Sequence, residues 1–179
     1  MGKVGFRPNL GTVIVGLVNM VSTFPTVWHL DRFGRKTLMW TLSFVQAVLL
    51  VGLGISFMYA NQSSAAQGLA VFFVMAFVVM FEFSLGPVPW VYMSEIMTEH
   101  GLSLAISLNW IFTIIIGLLT PILLTAVGGY FFIGNGVFTV ICAVFCLTVM
   151  KETKGLSPQE VAEIYVKKSK NQEVPRNER

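Results

Sequence analysis

The chain has 179 residues, of which 55% are hydrophobic and 12% charged, with a formal net charge of +3. Soluble domains carry about a quarter of charged residues, so the composition excludes an ordinary soluble domain. The small positive excess sits mainly in the C-terminal tail, which excludes a nucleic-acid-binding face. Apolar windows of about 18 or more residues read as transmembrane helices, because backbone polar groups in hydrocarbon must be satisfied within their own segment. Such windows run over Leu10–Leu30, Leu38–Tyr59, Gly68–Met93, Leu102–Val127 and Tyr130–Met150. Each is long enough for a bilayer of about 30 Å with some tilt. The expectation is all-α: a polytopic bundle of about five transmembrane helices over residues 1–150, joined by short loops, then a cytoplasmic tail over 151–179.

Before the first window, MGKVGFRPN adjoins no apolar run ending in a small-residue cleavage site, so no signal peptide is visible. The first window contains one amide, Asn19, which suits helix-to-helix glue or a ligand contact. The loop that follows, Asp31-Arg32-Phe33-Gly34-Arg35-Lys36, is basic. With the tail's Lys and Arg residues it is placed on the cytoplasmic side by the positive-inside rule. The N-terminus then faces outside, with Lys3 and Arg7 on the unfavoured side, which points to a preceding helix that this stretch lacks. The plain role of the loop is to set topology. A sharper one uses Gly34 for a tight turn and the arginines for bidentate contact with Glu95 on the neighbouring inner loop, as a conformational latch with Asp31.

The third window holds the most unusual stretch, FEFSLGPVPW. Of nine acidic residues, only Glu82 lies inside an apolar window. An intramembrane carboxylate is costly and reads as functional: it could accept hydrogen bonds from a hydroxylated substrate, carry a proton, or join helices. Gly86, Pro87 and Pro89 weaken the helix just after it, and broken helices at membrane depth occur where they line a cavity. Trp90 offers either a ring-stacking face or an interfacial anchor. Asn109, in the fourth window, is a further amide in apolar surroundings. Cys142 and Cys146 read as apolar-facing thiols, and the two histidines are too scattered for a metal centre. After Met150, Ser157, Pro158 and Glu160 form a helix start with a capping box. Val161, Ile164 and Tyr165 follow at helical spacing, and disorder is expected from Lys167 onward.

Four motifs then resemble a known family. GPVPWVYMSE is similar to the G-P-x-P-W-x-x-x-S-E signature of the sugar porters of the major facilitator superfamily. DRFGRK is similar to their D-R-x-G-R-R/K inner loop, KETKG to their P-E-T-K-G tail, and Asn109-Trp110 to the N-W pair of their eleventh helix. The register implies that the five windows correspond to helices 8 to 12 of a twelve-helix transporter.

The resemblance implies sugar or polyol transport by alternating access across a lipid bilayer, with no catalytic residue, metal or cofactor, and no nucleic-acid partner. It implies that Asn19, Glu82, Trp90 and Asn109 contact sugar, that Gly86, Pro87 and Pro89 form the gate hinge, and that Arg32, Arg35 and Glu95 form the inner-face ion-pair network. It leaves facilitated diffusion and proton symport both open. The seventh helix and the N-terminal half have no counterpart here. The companion reading is therefore a truncated, non-transporting fragment, or a subunit that pairs with an N-terminal half. The plasma membrane is the expected location, with the C-terminus cytoplasmic.

Overall fold

The computed structural model describes residues 8–172, except the side chains of 8–12, 23, 25–27, 29–31 and 166–172. Lys3 and Arg7 lie outside the described residues. Helix follows helix: α1 (Pro8–Phe33), α2 (Arg35–Tyr59), α3 (Ser64–Phe83), α4 (Val88–Ile96), α5 (Glu99–Val127), α6 (Tyr130–Val149) and α7 (Pro158–Gln172). There is no strand among the described residues. Four spans are long and apolar enough to cross a membrane: α2, α3 with α4, α5 and α6. At 26 residues, α1 extends about 39 Å, so it too reaches bilayer length.

The helix boundaries have local causes. Gly34 separates α1 from α2 with φ +84°, a backbone region open mainly to glycine. Ser63 caps α3 by accepting the Ala65 N–H at 3.2 Å. Gly128, at φ +57°, ends α5, and the chain reverses at once into α6, as the paired glycines predict. Ser157 and Glu160 make the predicted capping box. The Ser157 N–H donates to Glu160 Oε2 at 2.7 Å, and the Glu160 N–H donates to Ser157 Oγ at 3.4 Å. The α7 helix continues to Gln172, beyond Lys167, where the sequence predicts disorder. Lysine and glutamine are good helix formers, and a capped helix propagates more readily than it starts. Residues 173–179 lie outside the described residues.

The α2 helix is the centre of the bundle, packed between α3 and α6. Without a hydrophobic driving force between helices in lipid, close backbone approach over small residues takes its place. A Cβ on Gly54 of α2 would lie 2.7 Å from the Gly129 carbonyl oxygen, and one on Gly136 of α6 would lie 3.1 Å from the Ala47 carbonyl oxygen. Near the start of α2, Leu38, Met39, Val88, Tyr92, Cys146 and Met150 form the core cluster, drawn from α2, α4, α6 and the residue after α6. By contrast, α5 has no buried residue. Its packing against α6 is slight.

Candidate functional site

The predicted break in the third span is real and has an atomic cause. Proline lacks an N–H, so the helical bond that residue 87 would send to Phe83, and the one residue 89 would send to Leu85, cannot form. The chain instead tightens. The N–H groups of Ser84 and Gly86 both donate to the Phe81 carbonyl, at 3.1 and 2.8 Å. Helix resumes when Val88 N–H reaches Ser84 O at 3.1 Å and Val91 N–H reaches Pro87 O at 3.3 Å. Pro89 then sits in the first turn of α4, where a missing donor is tolerated. A Cβ on Gly86 would lie 3.1 Å from Phe81 O, so the crowded turn favours glycine.

Glu82 sits one residue before the end of α3 and is buried. The amide of Asn19, on α1, donates to its Oε1 at 2.5 Å. Two polar residues 63 positions apart are thus joined across the α1–α3 contact. An amide beside a carboxylate supplies both donors and acceptors in one place, which is the pattern that neighbouring hydroxyls match. Trp90 follows the break on α4 and is 38% exposed, so its indole is available as an apolar face. Asn109 is not gathered with them: it is exposed on α5, whose principal neighbour is α6.

Where α2 begins and α4 ends, a second polar cluster forms. Arg35 donates from Nε and Nη2 to Glu95 Oε1, at 3.1 and 2.8 Å. This is the ion pair predicted between the two inner loops. Arg32 does not share it among the described residues. Arg32 is exposed with its guanidinium 5.0 Å from the Trp28 ring centroid, one turn back on α1. The Asp31 side chain lies outside the described residues.

The partners that complete the cluster come from the tail, and sequence reasoning missed them. Thr153 Oγ1 donates to Glu95 Oε2 at 2.6 Å. Glu152 accepts from the first two N–H groups of α2, those of Arg35 at 2.8 Å and Lys36 at 3.1 Å. A carboxylate there satisfies orphan donors and meets the positive end of the helix dipole. Lys154 Nζ donates to Arg32 O at 2.8 Å, at the C-terminal end of α1. A Cβ on Gly34 would lie 2.5 Å from Glu152 Oε2, so the glycine is what lets the carboxylate approach. The only clue in the sequence was that KETKG carries charges beside a membrane exit. Further along, α7 docks on α4 through hydroxyl contact between Tyr92 and Tyr165, with Lys151 Nζ bonded to Ile164 O at 2.6 Å.

No group of three or more His, Cys, Asp or Glu side chains suited to a metal occurs among the described residues. The geometry is that of a polar pair in an apolar bundle, next to a proline-broken turn, with a polar fastening around Gly34.

Comparison with known proteins accords with this arrangement. The profile of the family described as "Sugar (and other) transporter" matches residues 1–165. The facilitated trehalose transporter Tret1 of Apis mellifera ligustica is 31% identical over 161 residues, which is 86% of this chain and 32% of that protein. Hexose transporter 1 of Toxoplasma gondii is 38% identical over 163 residues, 83% of this chain and 27% of that protein. Among solved structures, the inward-open xylose transporter XylE from E. coli superposes with a TM-score of 0.77 at 28% identity, covering 85% of this chain and 35% of that one. The chain therefore spans about a third of the length of these relatives. They are membrane transporters rather than enzymes. With its apolar spans, the chain is an integral, multi-pass membrane protein, and it belongs to the sugar transporter family.

Proposed function

We propose that the chain supplies part of the C-terminal half of a transporter that moves a hexose, or a related sugar or polyol, across the membrane by alternating access. The observation that carries this reading is the hydrogen bond from Asn19, exposed on α1, to the buried Glu82 directly before a proline-broken turn. Asn19 and Glu82 bind sugar hydroxyls, Trp90 packs against the ring, and Asn109 joins the site from α5. The stretch from Gly86 to Pro89 bends as the inner gate opens. Arg35 and Glu95, held near Gly34 by the tail, stabilise the state in which that gate is shut. Relatives named for hexose, xylose and trehalose transport support the substrate class. The plasma membrane, with a cytoplasmic C-terminus, suits the basic first loop and tail.

The lack of any buried residue along α5 favours a second, narrower reading, in which the chain transports only when paired with an N-terminal half. Uptake of radiolabelled 2-deoxyglucose in transporter-null cells separates the two readings. The expected result is uptake on co-expression with an N-terminal half, reduced at least ten-fold by Glu82→Gln. Uptake that survives Glu82→Gln at equal surface expression would overturn the assignment of the site. Repeating the measurement at two external pH values distinguishes proton coupling from passive movement.

A further inference from the structure

Two polar side chains on α2, Ser43 and Gln46, are fully buried in a helix whose other inward residues are apolar or small. A sealed amide is retained only where it makes hydrogen bonds. Gln46 Nε2 donates to the carbonyl oxygen of Met80 on α3, at 3.2 Å. In an unbroken helix that carbonyl would receive the Ser84 N–H. At the break, however, the Ser84 N–H turns to Phe81 O. The same distortion that creates the hinge thus removes the backbone donor of Met80, and a side chain from α2 replaces it. On the other shoulder of the break Ser84 Oγ, itself fully buried, donates to Leu38 O at 3.3 Å. Leu38 and Gln46 lie about two turns apart on the same side of α2. Glu82 falls midway between Met80 and Ser84, the two gripped residues.

We propose that Gln46 is a positioning residue that clamps the broken span to α2 and thereby fixes Glu82 against Asn19. Its effect on sugar affinity rests on the reading above; its effect on the break does not. The Gln46 Oε1 atom has no hydrogen-bond partner among the described residues, so the donor end is the part the fold uses. Ser43, one turn earlier and equally buried, makes no described bond to the break and is the natural control.

The test compares wild-type chain, Gln46→Met and Ser43→Ala in lipid nanodiscs. It reads hydrogen exchange of the peptide spanning residues 80–90, together with binding of tritiated D-glucose. Gln46→Met keeps the length and shape of the side chain but removes its donor. The expected result is exchange at least ten-fold faster in that peptide, with α6 unchanged and Ser43→Ala like wild type. Equal exchange in Gln46→Met and wild type, or equal acceleration in Ser43→Ala, overturns the clamp. If Gln46→Met does not yield folded protein, Gln46→Asn withdraws the amide by one methylene and is judged by the same comparison. A several-fold weaker glucose affinity in Gln46→Met extends the clamp to the sugar site. Absence of glucose binding by every chain counts against the sugar site alone and leaves the exchange result decisive.

Discussion

At Gly34 two independent demands fall on one residue: a φ of +84° and a carboxylate packed where a side chain would begin. Alanine there meets both penalties. A non-glycine residue in this backbone region costs about 1–3 kcal/mol, and the displaced Glu152 gives up its contacts with the start of α2. Gly34→Ala is expected to lower the thermal unfolding midpoint in detergent and to loosen the tail, seen as faster exchange at the Arg35 and Lys36 amides. An unchanged midpoint with unchanged exchange would show that the turn tolerates a Cβ. At this scale the sequence was partly legible. Charge and position left the contact of Arg32 and Arg35 with Glu95 as one of two readings of the loop, and the resemblance to sugar porters favoured it; the structure pairs Arg35. Charge and position were not enough to find Glu152. Its bond to Arg35 joins residues 117 positions apart, and no local periodicity encodes a partner that distant. Gln46 was equally silent, because one amide in an apolar run does not reveal which carbonyl it will meet.

Whole helices were more readable than single contacts. Apolar length marks the spans, the prolines mark the break between α3 and α4, and the Ser157–Glu160 box marks the start of α7, each a signal carried by neighbouring residues. The end of α7 was not readable in the same way, since polar helix formers without an apolar stripe resemble solvated coil. The start of α7 also makes a pH prediction. Hydrogen bonds from the Ser157 backbone N–H and hydroxyl hold the Glu160 carboxyl below its usual range. A carboxyl depressed in the folded state contributes stability that is present above its unfolded pKa and lost as pH falls through the folded one. Exchange in the first turn of α7 should therefore rise as pH drops below about 4, after correction for intrinsic rates. Ser157→Ala should weaken that dependence without abolishing it, since it removes the hydroxyl bond and keeps the backbone one. Between α2 and α6 the critical feature is space rather than charge. Gly54→Val would drive a side chain into the Gly129 carbonyl and Ile133, and backbone cannot swing aside. Overpacking of this kind costs about 1–3 kcal/mol. The expected outcome is a lower unfolding midpoint, with faster exchange along α6; an unchanged midpoint would mean that the two helices separate at little cost.

Across the whole molecule, polarity is concentrated at two levels: the Asn19–Glu82 pair within the bundle, and the fastening around Gly34. Composition made the membrane character legible. It could not reveal that α5 finds so little to pack against, because an apolar helix reads the same whether lipid or protein covers it. The fastening also carries a consequence for how the molecule is made. One of its bonds joins Arg35 to Glu152, which is synthesised 117 residues later. At about 5–20 residues per second the interval is roughly 6 to 23 seconds. Throughout that time every span can enter the bilayer while the start of α2 still has its leading N–H groups uncovered. The fastening thus closes only after every described span has been synthesised. A product halted just before Glu152 would hold all the described membrane helices and still lack the bonds that cover the start of α2.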